Sequence, residues 1–168
     1  MEELGYKQTA KHGFRRPKGK SGIQLTVELG MSRRHQRTMF QPSFNLICRE
    51  VAAQMFTVIR EIHPDADPKH MNKTGEVLAL GLGAHMHDED RKYSKLSWIS
   101  EDDEQDDISD WFYAFRERVD QLTQRYKHLE NDFLALEGVF TSPENSRSDR
   151  AFYLKAFHLA ANVRPKEI

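Results

Sequence analysis

Apolar residues alternate one for one with polar ones at the start of the chain's first strongly patterned stretch. Ile23, Leu25, Val27 and Leu29 are separated by Gln24, Thr26 and Glu28. Period two with β-branched content predicts a half-buried strand, closed by Gly30. The pattern then changes. Ser32 can cap a short helix running through Arg33 to Phe40, and Pro42-Ser43 punctuates it, since proline disfavours helical geometry at Gln41 but suits a helix start. Phe44, Ile47, Val51, Met55, Val58, Ile59 and Ile62 recur at helical spacing. They predict a helix of about five turns, ended by Pro64.

Residues 63–73 are rich in turn formers. The run TGEVLALGLGAHMH (74–87) is ambiguous: its length favours a helix capped by Thr74, while Gly81 and Gly83 each weaken that reading by roughly 1 kcal/mol. Mixed charge over 88–107, ending in SEDDEQDD, reads as an acidic linker with helix-starting acids at its end. From Ile108 onward the order is strict. Phe112, Phe115, Val119, Leu122, Tyr126, Leu129, Phe133, Leu136 and Phe140 follow in steps of four and three. This predicts one long heptad-patterned helix whose bulky aromatics suit a bundle or an antiparallel pair. Arg116, Arg118 and Arg125 followed by Glu130, Asp132 and Glu137 along its flanks also favour antiparallel packing, to a second copy or to another helix of the chain. Phe152, Ala156, Leu159 and Val163 suggest a last helix after Ser142-Pro143.

The expected fold is therefore mainly α. A flexible basic arm (1–20) leads to one strand and two helices (21–63), then to a helical body (64–168) with an acidic linker near 100–107. Charge sharpens this division. Residues 1–40 carry nine Lys/Arg against Glu2, Glu3 and Glu28, a net of +6, whereas the whole chain sums to −1 and the remainder therefore to −7. A basic front on an acidic body is a pattern of nucleic-acid contact. No run approaches the roughly 18 apolar residues of a membrane span, and the first residues lack a signal peptide's apolar segment. The single Cys48 cannot close an internal disulfide, which fits a reducing cytoplasm and a place on the apolar side of a helix.

The order strand, short helix, turn, longer helix within 22–62 resembles the ribbon-helix-helix family of DNA-binding regulators. In more general terms the whole chain is similar to transcriptional activators encoded on conjugative plasmids, of the AcaB type, which would imply control of transfer genes. The first resemblance implies a homodimer in which two chains pair their strands into a ribbon that enters the major groove of double-stranded DNA. Gln24, Thr26 and Glu28 would then touch base edges: glutamine on adenine, threonine on a thymine methyl, glutamate on cytosine N4. Arg15, Arg16, Lys18, Lys20, Arg33, Arg34 and Arg37 would hold phosphates, with Ser43 and the amides after Pro42 on another phosphate. Two features depart from the family. The segment SRRHQRTMF offers few apolar residues for packing, and Gln-Pro-Ser stands where members often carry a glycine.

Other chemistry is thinly represented. His85 and His87, beside Asp88, Glu89 and Asp90, with His63 and His70 upstream, look like metal ligands, but no HExxH or CxxC spacing is present. The acidic run 101–110 lacks the glycine and spacing of a calcium loop. There is no GxSxG, P-loop or Rossmann fingerprint, so neither catalysis nor a metal or cofactor is expected. Two functions compete, with a metal-dependent enzyme using the histidines as a third and weakest reading. One is a sequence-specific DNA-binding transcriptional regulator, with the transcription machinery as a further candidate partner and no membrane. The other is a helical protein-interaction or scaffold subunit without DNA readout.

Overall fold

A computed structural model describes residues 1–9, 13–34, 37–65, 75–83, 88–97, 99–100, 105–143 and 150–164. Its centre is a six-stranded antiparallel sheet rather than a helical bundle. The strands are β1 (Lys7–Thr9), β2 (Gly13–Arg15), β3 (Ile23–Arg34), β4 (Arg37–Cys48), β5 (Glu76–Gly81) and β6 (Ile99–Ser100). Strands β1 to β5 lie in chain order, and the short β6 pairs with β4 at Met39 and Phe40. Among the described residues, four α-helices accompany the sheet: α1 (Arg49–Ile62), α2 (Gln105–Tyr126), α3 (Leu136–Thr141) and α4 (Arg150–Val163). The mainly α expectation is overturned.

The ribbon-helix-helix arrangement falls with it. The strand at 23 runs on to Arg34, and its antiparallel partner is residues 37–48 of the same chain, in continuous register from Ile23 opposite Cys48 to Arg34 opposite Arg37. Residues expected as a short helix, and the first turn of the longer one, belong to these strands. The physical reason is a second period-two pattern. Phe40, Pro42, Phe44, Leu46 and Cys48 alternate with Gln41, Ser43 and Asn45, which matches the pleat and not the helix. Pro42 does not break the strand. Its carbonyl accepts from Leu82 N at 3.0 Å, so its missing N–H is on the β5 side, where that ladder is ending, and not towards β3.

Alternation divides the sheet into two faces. Ile23, Leu25, Val27, Phe44 and Leu46 are fully buried on one of them, and Tyr126 of α2 packs its ring 5.9 Å from that of Phe44. The heptad positions are accordingly an intramolecular seam. Phe115, Val119, Leu122, Tyr126, Leu129, Phe133, Leu136 and Phe140 are all buried, whereas Phe112 is 54% exposed. The expected single long helix is interrupted. After Tyr126 the chain tightens to a 3₁₀ turn at Lys127–Glu130, and the Asp132 carboxylate then accepts from the amides of Leu134 and Ala135 at 3.0 and 3.3 Å. Those bonds start a new helical turn and bend the path while the apolar stepping continues. Helices α1 and α4 run antiparallel, tied by Lys155–Glu61 at 2.6 Å and Arg164–Glu50 at 3.6 Å.

Residues 1–20, expected as a flexible arm, supply β1, β2 and a core anchor. Tyr6 is 1% exposed and its hydroxyl is 2.9 Å from Thr123 Oγ1 on α2. One hydrophobic cluster runs from Tyr6 to Ala160, so the basic N-terminal segment and the helices share a core. Among the described residues no helix is long and apolar enough to cross a membrane.

Candidate nucleic-acid interface

The β3–β4 hairpin outruns the rest of the sheet. Strand β2 pairs with β3 only from Thr26 to Glu28, and β5 leaves β4 at Ser43. Beyond those points the hairpin continues as a two-stranded arm, flanked on the β4 side among the described residues by Leu82, which bonds to Pro42, by β6 and by the 3₁₀ segment Asp88–Ser97. Six residues, 29–34, carry β3 outward by about 20 Å at roughly 3.3 Å each. No acidic residue occurs between positions 29 and 49, while Arg33, Arg34 and Arg37 cluster at the arm's end. Arg33 is exposed, and Arg34 and Arg37 hold directly opposite register positions. The connecting residues His35 and Gln36 lie outside the described residues.

Cross-strand register defines the polar face row by row. Lys7, Arg15, Thr26, Asn45 and Ala79 stand opposite one another across five strands; Thr9, Gly13, Glu28, Ser43 and Gly81 form the next row, and Gly30 stands opposite Gln41 beyond that. Exposure varies along it. Lys7, Arg15, Glu28, Gly30, Gln41 and Gly81 are exposed, Gln24 and Ser43 are half-buried, and Thr26 and Asn45 are 6% and 2% exposed. Thr26 Oγ1 and Asn45 Oδ1 have no hydrogen-bond partner.

The residues expected to read bases thus share a face, as alternation dictates, but differ in availability. Glu28 is open to solvent. Gln24 spends its amide on the carbonyl of Arg16 at 2.7 Å, and Thr26 is buried. Among the expected phosphate ligands, Arg15, Lys18, Lys20 and Arg33 are exposed. Lys18 lies 4.0 Å from the Glu50 carboxylate. Arg16 is committed to the fold: its guanidinium grips both Glu130 oxygens at 2.7 and 3.1 Å and also donates to Leu4 O. The hydrogen bond to Glu130 raises its pKa above the ordinary arginine value. Ser43 sits mid-strand opposite Glu28, so the expected phosphate site at a helix start does not exist there.

The other tempting groups resolve into structure or fall outside the description. Asp90 is fully buried against Arg118, their atoms 2.6 Å apart. Burial pushes the Cys48 thiol up to about 11, the direction of an inert core residue rather than a nucleophile. His63 is exposed after α1, whereas His70, His85 and His87 lie outside the described residues. No group of three metal-ligating side chains occurs among the described residues. Sequence reasoning missed Lys7 and Gln41 as members of the polar face. The signal for Gln41 was the alternation of 40–48, and that for Lys7 required knowing which strands pair. No family model matches the chain, and neither does any curated protein or solved structure.

Proposed function

We propose that this chain binds double-stranded DNA through the β3–β4 arm and acts as a transcriptional regulator. The observation that carries the reading is a two-stranded ribbon, long enough to reach into a groove, ending in Arg33, Arg34 and Arg37 with no carboxylate beyond Glu28. A ribbon of two strands fits the major groove of B-form DNA, about 12 Å wide and 8.5 Å deep. The narrow major groove of A-form RNA would exclude it. Single-strand binders stack bases on aromatic side chains. The polar rows named above contain no Phe, Tyr or Trp, which favours a duplex.

In this reading one chain supplies both strands, so the ribbon forms without a dimer. Arginines at the tip hold phosphates, and exposed Glu28 and Gln41 face base edges, where glutamate accepts from cytosine and glutamine pairs with adenine. The test is a fluorescence-anisotropy titration of a random duplex of about 24 base pairs across salt. Replacing Arg33, Arg34 and Arg37 together by Gln should reduce the log–log salt slope by about 2.7, three contacts at roughly 0.9 each. A slope and affinity equal to wild type would remove the arm from the interface. The scaffold alternative predicts no duplex binding even at low salt.

A further inference from the structure

Two cross-strand pairs in this sheet set like charges opposite each other. Lys7 stands directly opposite Arg15 where β1 meets β2, and Arg34 holds the position opposite Arg37 at the arm's end. Like charges at directly opposed positions destabilise an antiparallel pair. Lys7 and Arg15 are both exposed, and among the described residues neither has an ionic partner that would relieve the repulsion. Both pairs occupy register positions of the same parity. Arg15 is opposite Thr26, and Arg34 follows Thr26 by eight residues, an even step that returns to the same side of the pleat. At roughly 3.3 Å per residue the two pairs are about 26 Å apart.

The rows next to Lys7 and Arg15 hold several small residues. Thr9, Gly13, Ser43 and Gly81 share one row with Glu28, and Gly30 faces Gln41 in the next. A Cβ added at Gly81 would meet nothing within 4 Å, so the face is open at that point. Small residues there let a bulky, regular partner approach the backbone closely, and Glu28 is the one carboxylate in these rows.

We propose that the polar side of the sheet adds a second phosphate clamp, Lys7 and Arg15 near the root of the arm, to the arginines at its end. The inference rests on the DNA-binding reading and extends it from the arm to the body of the sheet. A separation of about 26 Å corresponds to roughly eight base pairs at 3.4 Å per step, which sets the expected footprint. Charge complementarity selects the occupant. Two cation pairs at register positions a set distance apart match the evenly spaced phosphates of a duplex backbone, and each repulsion is relieved when a phosphate lies between its members.

The experiment uses the full chain and the same random duplex of about 24 base pairs. Lys7→Gln with Arg15→Gln should raise Kd about tenfold and reduce the log–log salt slope by about 1.8, while the melting temperature stays level or rises as repulsion is removed. Lys155→Gln, on α4, should leave binding unchanged. Unchanged binding by the Lys7/Arg15 variant, with binding lost by Arg34→Gln/Arg37→Gln, would overturn the second anchor and leave the arm reading intact. An equal loss from Lys155→Gln would reduce the effect to overall charge and overturn the anchor too. A melting temperature lowered in step with binding would give the pair a structural role instead. If the wild-type chain does not bind duplex at low salt, the DNA reading itself fails.

Discussion

Asp90→Asn should be the most costly single polar substitution in this protein. Asp90 and Arg118 are both completely buried, with Asp90 Oδ1 accepting from Arg118 Nη1 at 2.6 Å and from Gln121 Nε2 at 3.2 Å. Arg118 also donates from Nε to the Leu82 carbonyl at 3.2 Å and lies 4.8 Å over the Tyr93 ring. Arg125, 3.7 Å from the second Asp90 oxygen, is partly exposed and can recover water when the carboxylate goes. Arg118 cannot. Removing the carboxylate leaves the buried guanidinium with neutral acceptors such as Leu82 O and Gln121 Oε1 in place of its Asp90 partner, and loss of one member of such a pair costs about 3–5 kcal/mol. For a chain of this size that lowers the melting temperature by roughly 6–20 °C. Replacing both, as Asp90→Leu with Arg118→Met, should recover most of the loss, since a buried pair and an apolar pair of similar volume are close in energy. Urea unfolding of the two single variants and the double variant forms the cycle that isolates the coupling. The pair also fixes the 3₁₀ segment Asp88–Ser97, which leads into β6 on the arm. Amide exchange at Phe40 should therefore accelerate in the single variants. A loss below about 1 kcal/mol for Asp90→Asn would refute the reasoning, because it would mean that water reaches Arg118.

Two further outcomes follow from burial. The Cys48 thiol, raised by desolvation to about 11 from an ordinary 9.0, holds its proton more tightly in the folded state than in the unfolded one. Its contribution is complete below about pH 9 and is lost as pH rises towards 11; Cys48→Ala should flatten that part of a stability–pH curve, and a curve of unchanged shape would contradict it. Phe115→Ala should cost about 3–5 kcal/mol, whereas Phe112→Ala, three residues earlier on the same heptad list, should stay within about 0.5 kcal/mol. Equal losses in denaturant titrations would mean that Phe112 is covered.

How far the sequence could be read depended on the range of the interactions involved. The alternation at 23–29 correctly separates the buried Ile23, Leu25 and Val27 from Gln24 and Glu28. Alternation over 40–48 is equally regular, but Phe44, Ile47 and Val51 also fit a helix, and Pro42-Ser43 imitates a helix start. The choice is made by pairing with β3, a contact no local window contains. The hairpin connection gives no help, because His35-Gln36 lacks the Asn-Gly or Asp-Gly that marks a two-residue turn. Heptad spacing predicted which residues of 115–140 are buried but not that the helix bends after Tyr126, since apolar stepping survives a change of axis. At the candidate site, charge density was legible and availability was not. Arg16 looks like any other cation of the N-terminal segment until Glu130, 114 residues away, closes on it.

The two faces of the sheet explain why repelling pairs can persist at Lys7–Arg15 and at the arm's end. On the apolar face Ile23, Leu25, Val27, Phe44 and Leu46 are all fully buried. Each contributes about 1.5–3 kcal/mol, so the face supplies on the order of 10 kcal/mol. A cross-strand pair of like charges costs only about 0.2–1 kcal/mol. The core therefore determines the β3–β4 register, and register in turn determines that Arg34 stands opposite Arg37; a one-residue slip would move the apolar side chains of the slipping strand to the opposite face. Next to Lys7, Tyr6 is buried and bonded to Thr123, and next to Arg15, Phe14 packs on the core, so β1 and β2 are anchored beside their own cations. Local instability at the charged positions is then a small term that a bound anion can reverse. Placing the clusters on strands held by the core keeps their separation constant before any partner arrives, which reduces the ordering cost of binding.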